Sequence, residues 1–391
     1  MPSAKEPLAD KVHTHTEAGP SDSTRATSLL CGTRLLLNDP TIDETRSNFA
    51  DWLELSAFLS PRGKASKSKI TGLLGLGADD TASERERWDA EAGERVDESI
   101  LEGKLEEMIV SVFDELEFRK NALGSAYPFD IDGKNASISL QLAEDFSHKG
   151  QVVYLFCLLA TALRTKLLAT EEHVHEAHKK IGNTFQICAC LAAGGYTLGR
   201  VASFGFPRAE GDAFLPALQR TFSRFGFGKT HEQPPSGYPN SLKDGGIDVF
   251  AWRPFPDQMP STMFLVGQCA SGLDWHEKPV SNFIPQLNAW FVDGGLPEHA
   301  LPAIFIPFPL HYDLPDPDGV RFDEALRNRW HFQQRSFGVI FDRVRIAHFA
   351  DECWNLPCEL KKEIDGIDSF DDVREWVKVA AGLAGFAGVS A

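Results

Sequence analysis

The sequence predicts an α/β C-terminal domain that follows a mainly α N-terminal domain. Two apolar runs, Ile247–Trp252 and Met263–Gln268, have the length and composition of neighbouring strands, and a proline-rich loop separates them. Apolar residues in the first half recur at helical spacing, most clearly in Asp97–Lys120. Beyond residue 200, helical patterns alternate with short apolar runs, which is the order of an α/β domain.

The first half is expected to be built mainly from helices. After Asp97–Lys120, helical patterns cover Leu140–Leu168 and Thr170–Ala193. Thr170 is a plausible N-cap for the third of these helices.

The second half alternates between predicted helices and strands. A helix is expected over Glu210–Phe225, with Gly226 as a left-handed C-cap, before the two strands named above. The remaining elements are expected to be a helix over Asn282–Val292, a strand over Ala303–Ile306, a helix over Phe322–Gln333, a strand over Val339–Ile346 and a helix over Phe370–Ala380. We therefore divide the chain into a disordered tail (1–28), a helical domain (29–199), an α/β domain (200–350) and a C-terminal helical extension (351–391).

The charge of the chain limits its possible partners. The formal net charge is −17, which argues against a surface built for non-specific DNA binding. The excess acid lies mainly outside residues 196–350, where 14 Lys and Arg stand against 16 Asp and Glu. A local basic groove in that region, or a partner protein, would then have to supply the positive surface for a nucleic acid.

The chain carries no sign of a membrane or secretory location. It has no apolar run of about 18 residues and no apolar segment near its N-terminus. Seven cysteines without framework spacing suit a reducing compartment. We expect a cytoplasmic protein without a membrane partner.

Polar residues stand at adjacent ends of the two predicted strands. Asp248 opens the first strand behind Gly245 and Gly246, and Gln268 ends the second. If the strands form a hairpin, the carboxylate and the amide lie side by side. Such oxygen donors suit Mg²⁺ or Mn²⁺. The same pattern also occurs in surface hairpins without chemistry, because Asp-Gly-Gly and Ser-Gly are good turn formers.

At these residues the chain resembles the PD-(D/E)XK nuclease superfamily, especially members whose third motif begins with Gln. The phrase D-G-G-I-D-V-F-A-W is similar to the strand that carries the metal-binding acid, here Asp248. Gln268-Cys269-Ala270 is similar to the third motif. The resemblance covers about Glu210–Ile346. It implies a restriction-endonuclease-like core, which consists of a helix, a β-hairpin with the acid and the tripeptide, a second helix and a further strand.

The chain departs from this family at two positions. Ala270 stands where the family has lysine, and Lys278, eight residues later, or Lys243 could replace it. Leu215 stands where the opening helix has a carboxylate, and Asp212 is the candidate replacement. Asp212, Asp248 and the carbonyl of Cys269 would then form an oxygen-rich site for Mg²⁺.

The resemblance implies a metal-dependent DNA endonuclease that acts within a bacterial restriction or anti-phage defence complex and has a protein partner. One alternative is a catalytically degenerate nuclease fold that binds DNA or proteins as a scaffold. A second alternative is a cysteine protease, since G-Q-C-A-S-G-L-D-W faintly resembles a papain-type nucleophile segment around Cys269. The candidate bases for such a protease are His276, His299, His311, His331 and His348.

Overall fold

The computed structural model describes residues 35–41, 44–80, 98–170, 174–208, 211–238, 243, 245–259, 261–314 and 321–383. The predicted tail, residues 1–28, lies outside these ranges. The helices are α1 (Arg46–Phe58), α2 (Lys67–Asp80), α3 (Glu98–Leu123), α4 (Lys149–Arg164), α5 (Val174–Thr197), α6 (Phe214–Phe225), α7 (Ile284–Asn288), α8 (Phe322–Phe337), α9 (Arg343–Trp354), α10 (Cys358–Lys361) and α11 (Phe370–Leu383). The strands are β1 (Leu35–Leu37), β2 (Lys64–Ser66), β3 (Phe129–Asp132), β4 (Ser137–Leu140), β5 (Leu168–Thr170), β6 (Arg200–Ser203), β7 (Val249–Arg253), β8 (Met263–Cys269), β9 (Leu301–Phe305) and β10 (Val339–Phe341).

The second half of the chain forms a mixed five-stranded sheet flanked by helices. The strand order is β10-β9-β8-β7-β6. Strand β7 runs antiparallel to both β6 and β8, whereas β8, β9 and β10 are parallel to one another. The predicted hairpin of β7 and β8 therefore forms in the middle of the sheet, where its strands are buried on both faces.

Alternate residues of the central strands pack against different helices. Val249 and Leu265 face a core that contains Phe185 of α5. Phe250 and Val266 face a second core, together with side chains of α6 and α7. This period of two places the sheet between two helical layers.

The first half is mainly helical but also contains two small antiparallel sheets, β1-β5 and β2-β4-β3. The helix predicted over Leu140–Leu168 begins only at Lys149. Its predicted first residue, Leu140, is instead the last residue of the β3–β4 hairpin. The turn of this hairpin is fixed by Asp132 accepting the N–H groups of Lys134 and Asn135 at 3.1 and 3.2 Å. The D-G-K-N sequence of this turn was the signal for the missed hairpin.

Two predicted elements in the second half are wrong in part. The strand expected over Val339–Ile346 stops at Phe341, because the side chain of Asp342 accepts the N–H of Arg345 at 3.1 Å and caps helix α9. The helix expected over Asn282–Val292 is reduced to the short α7. The C-cap at Gly226 is confirmed, with φ of 79°.

The larger of the hydrophobic cores contains residues from both halves of the chain. It contains Phe49 and Leu155 from the first half together with Val249, Phe305 and Ile346 from the second. Among the described residues, no helix is both long enough and apolar enough to cross a bilayer.

Candidate functional site

Asp248 lies at one end of the sheet, immediately before β7. Its N–H donates to the carbonyl of Gly267 at 2.9 Å, so Asp248 extends the pairing of β7 with β8. Its carbonyl accepts the N–H groups of Phe204 and Gly205 at 2.7 and 3.2 Å. The carboxylate is half-buried, and its Oδ2 accepts the N–H of Cys269 at 2.7 Å. Backbone groups on both sides therefore hold the main chain of Asp248, and the N–H of Cys269 binds its carboxylate.

Gln268 stands at the same end of the hairpin as Asp248. It follows Gly267, which pairs with Val249 and whose carbonyl accepts the Asp248 N–H. The Gln268 side chain is 8% exposed, and its Oε1 is buried without a hydrogen-bond partner among the described residues. A buried acceptor without a partner costs about 1–3 kcal/mol, which makes this oxygen a candidate ligand atom.

A third oxygen, which the sequence did not predict, comes from Gln186 of α5. Its Nε2 donates to Ser203 Oγ at 2.6 Å and to the Asp248 carbonyl at 3.3 Å, so the amide is held in one orientation. A Cβ built on Gly205 would lie 2.2 Å from Gln186 Oε1 and 2.5 Å from Asp248 Oδ1. These two oxygens therefore lie close to one another against Gly205, an approach that is possible because residue 205 has no Cβ. We refer to Asp248, Gln268, Gln186 and Gly205 as the sheet-end cluster.

Asp212 and Lys278 form ion pairs with other residues. The carboxylate of Asp212 pairs with Arg220 of α6. Lys278 Nζ lies 2.7 Å from the carboxylate of Asp274, which lowers the pKa of Asp274 from its usual value. Both Lys278 and Asp274 are exposed, so this pair contributes about 0–1 kcal/mol and can be exchanged at low cost.

The two family positions that depart from the motif lie in apolar cores. Ala270 is 1% exposed and packs with Trp275 and Ile304. Leu215 is 8% exposed and packs in the core that contains Phe250. A lysine or a carboxylate at either position would bury a charge among apolar side chains.

The surroundings of Cys269 do not resemble those of a protease nucleophile. It is the last residue of β8 and packs against the large core, whereas a thiolate nucleophile is usually activated at a helix N-terminus. Three of the candidate bases have other neighbours: His276 lies with Asp313, His311 with Glu115, and His331 with Gln334. The backbone contact of Cys269 with Asp248 is made by its N–H.

A second polar cluster, which the sequence did not predict, lies inside the molecule. The buried charge network consists of Asp51 and Glu54 on α1, Glu115 and Arg119 on α3, His311 after β9, and Arg343 on α9. All six side chains are at most 2% exposed.

Arginines hold the carboxylates of this network together. Arg343 binds both oxygens of Asp51, at 2.6 and 2.8 Å. Arg119 binds Asp51 at 2.7 Å, Glu54 at 3.1 Å and Glu115 at 2.8 Å. Both contacts of Arg343 are the bidentate type that fixes geometry most strongly.

The two glutamates of the network have opposite pKa shifts. Burial raises the pKa of Glu54, and the charge of Arg119 only partly offsets that effect. Burial would also raise the pKa of Glu115, but the charges of His311 and Arg119 outweigh it and hold that pKa well below its usual value. One cluster therefore contains a carboxyl that favours its proton and a carboxylate that resists protonation.

The buried charge network anchors the loop that follows β9. Arg343 Nε donates to the Pro307 carbonyl at 3.0 Å, and Thr161 Oγ1 donates to the same carbonyl at 2.9 Å. His311 Nε2 lies 2.8 and 2.9 Å from the two oxygens of Glu115. Helices of the first half thus fix a loop at the same end of the sheet as Asp248.

Within the described residues, no group of three or more His, Cys, Asp and Glu side chains is placed to hold a metal ion. The sheet-end cluster has one carboxylate, and its other oxygens are amide groups. Comparison with models of known protein families, with curated proteins and with solved structures finds no match for this chain.

Proposed function

We propose that this protein is a metal-dependent DNA endonuclease whose active site is the sheet-end cluster. The observation that carries the proposal is the buried Oε1 of Gln268, which has no hydrogen-bond partner among the described residues and belongs to the same end of the hairpin as Asp248. Gln186 Oε1 adds a further acceptor beside Asp248 Oδ1. Acceptor oxygens at one point are suited to a small, hard cation.

The donor set fits Mg²⁺ or Mn²⁺. Mg²⁺ is commonly bound through one or two carboxylates plus substrate phosphates, so a single Asp248 is compatible with a site completed by DNA. The lack of a Cβ at residue 205 lets the oxygens of Gln186 and Asp248 lie close against the backbone there. When bound, the ion would activate water and stabilise the charge that develops on the phosphate.

The order of elements around the cluster supports the same proposal. Helix α6, the β7–β8 hairpin, helix α7 and strand β9 follow one another as in the core of the PD-(D/E)XK nucleases that the sequence resembles. Asp248 and Gln268 occupy adjacent ends of the hairpin.

In this proposal Lys278 takes the role of the missing motif lysine. It follows β8 closely in the chain, and its ion pair with Asp274 is exposed and therefore weak. On release from Asp274, the ammonium would stabilise negative charge on the phosphate in the transition state. Asp212 would join the site only by leaving Arg220.

The net charge of −17 supports a protein partner that brings the DNA to the site. We place the enzyme within a multi-component restriction or anti-phage defence system, where such a partner would provide basic surface. Arg208 and Lys243 would contribute the local positive charge, since the Arg208 guanidinium donates to the Lys243 carbonyl close to the loop before Asp248.

The direct test is cleavage of supercoiled and linear DNA with Mg²⁺ or Mn²⁺, by the protein alone and with proteins encoded beside it. We expect metal-dependent cleavage that falls by about 100-fold or more in Asp248→Ala, because loss of a metal ligand removes several kcal/mol of stabilisation. The matched control is Asp257→Ala, an exposed acid in the loop of the same hairpin, which should cleave like the wild type. Equal cleavage by wild type and Asp248→Ala would contradict the proposal.

A second candidate function is the scaffold with a nuclease-like fold. The observation that favours it is the apolar burial of Ala270 and Leu215 at two motif positions. This function predicts no cleavage in any combination and a cellular activity that survives Asp248→Ala. The two candidates therefore give opposite results with the same variant.

A further inference from the structure

A cavity of about 460 Å³ lies at the outer edge of the sheet, beside β10. Its walls come from the C-terminal end of α5, from α8, from β10 and from the first turn of α9. Strands β8 and β9 separate β10 from β7, so about 14 Å lies between this edge pocket and the strand next to Asp248. The edge pocket is thus separate from the sheet-end cluster.

The polar groups that line the edge pocket are rich in hydrogen-bond donors. Arg327, His331 and Arg345 line it, and none of its lining residues is acidic. No carboxylate in the described part of the chain forms an ion pair with Arg327 or Arg345, and Asp323, one turn before Arg327, pairs with Arg321. Although the chain has a net charge of −17, the local charge of this pocket is positive and favours an anion.

Arg345 is held in place within the pocket. Its Nη1 donates to the Ile340 carbonyl at 2.9 Å, and its guanidinium lies 3.6 Å from the centre of the Trp330 ring. Guanidinium groups offer several donors and no acceptor, and their geometry matches phosphate or carboxylate oxygens. The fixed orientation lowers the entropy that binding an anion would cost.

The edge pocket also presents an aromatic ring. Tyr196 is 40% exposed, and its ring is held edge-on by Phe341 and Phe349, with 5.1 Å between ring centres in each case. An exposed, anchored ring is a platform on which a planar group can stack. The volume is within the range of small-molecule sites and larger than a phosphate alone requires.

We propose that the edge pocket binds a nucleoside monophosphate, with its phosphate on Arg327 and Arg345 and its base on Tyr196. This ligand suits both the donor-rich polar lining and the aromatic platform. His331 would add a donor through Nε2 whenever its Nδ1 accepts from the amide of Gln334, to which it lies 3.2 Å away. The proposal does not depend on the nuclease activity.

The test is isothermal titration calorimetry of the full chain with adenosine monophosphate, adenosine, inorganic phosphate and phenyl phosphate. We expect adenosine monophosphate to bind more tightly than adenosine or phosphate alone. Arg327→Ala should weaken its binding by about tenfold or more, through loss of a charge-assisted contact. The matched control Arg335→Ala removes the same charge from the same helix outside the pocket and should bind like the wild type.

A second variant separates the base from the phosphate. Tyr196→Leu should weaken adenosine monophosphate binding by about tenfold while leaving phosphate binding unchanged. The proposal is overturned if the dissociation constant of adenosine monophosphate is above about 1 mM, which corresponds to a binding free energy of about 4 kcal/mol. It is equally overturned if Arg327→Ala binds like the wild type, or if phenyl phosphate binds more tightly than the nucleotide.

Discussion

The buried charge network and the sheet-end cluster are both built from polar side chains, but their charges are balanced in different ways. In the buried charge network each carboxylate lies within about 3 Å of an arginine side chain. In the sheet-end cluster acceptor oxygens face one another, and the Oε1 of Gln268 has no partner among the described residues. In the first arrangement every carboxylate has a cationic partner within the chain, although His311 Nδ1 is buried without a hydrogen-bond partner among the described residues. This network joins the two halves of the chain. In our proposal the second is completed by a metal ion.

The largest expected effect is a loss of unfolding free energy when the buried charge network is broken. Arg343→Met removes one guanidinium and leaves the fully buried carboxylate of Asp51 with a single arginine. Breaking a buried pair in this way should cost about 3–5 kcal/mol of unfolding free energy, measured by urea denaturation.

The matched control is Lys278→Met, which removes a cation from the exposed pair with Asp274 and should cost at most about 1 kcal/mol. Similar losses of unfolding free energy in Arg343→Met and Lys278→Met would contradict the difference between a buried charge network and an exposed surface pair.

A smaller effect is expected from adding a methyl group at residue 205 in the sheet-end cluster. In Gly205→Ala the new Cβ would lie within 2.5 Å of the oxygens of Gln186 and Asp248, so these side chains must move. We expect a loss of about 1–3 kcal/mol in unfolding free energy, together with loss of Mn²⁺ binding. Gly72→Ala, at an exposed position of α2 with no atom within 4 Å, should instead raise stability by up to about 1 kcal/mol. A Gly205→Ala protein that still binds Mn²⁺ would contradict the assignment of the oxygens beside Gly205 as metal ligands.

The smallest effects concern pH, and they differ in sign between Glu115 and Glu54. Because the pKa of Glu115 is lower in the folded state, its carboxylate stabilises the fold above about pH 4.5. This contribution is lost as the pH falls through the folded-state pKa. The raised pKa of Glu54 stabilises the fold below 4.5, and this contribution is lost as pH rises through its folded pKa.

Between pH 4.5 and neutral pH, Glu54→Gln should therefore gain stability relative to wild type. Below pH 4.5, the difference in unfolding free energy between wild type and the less stable Glu115→Gln should shrink as the wild-type carboxylate takes up its proton. Urea denaturation across this pH range measures both slopes. Parallel slopes for the two variants would contradict the opposite pKa shifts.

The sequence predicts the sheet-end cluster in part because its hairpin is local. Asp248 and Gln268 stand at the ends of two strands that are close in the chain, so their place at the same end of the hairpin follows from strand length and loop position. Gln186 could not be found in this way, since it lies 62 residues before Asp248 on a helix and gives no motif. The strand predicted beyond Phe341 failed because apolar alternation competed with an N-cap at Asp342.

The buried charge network could not be predicted from the sequence. Its members Asp51 and Arg343 are 292 residues apart, and each stands in a helix where a charged residue is ordinarily exposed. A charged residue in an apolar run is the only local signal, as at Asp51 in the N-F-A-D-W-L-E-L segment of α1. Long-range partners decide whether such a residue is a surface charge or part of a buried network.

The most direct test of the central claim is a titration of the protein with Mn²⁺, followed by electron paramagnetic resonance of the free ion, with and without a short DNA duplex. We predict one bound ion per chain in wild type, with an affinity that rises when DNA is present and falls by about tenfold or more in Asp248→Ala and Gln268→Ala. Unchanged binding in Asp248→Ala, or no binding by wild type in the presence of DNA, would contradict the assignment of the sheet-end cluster as a metal site.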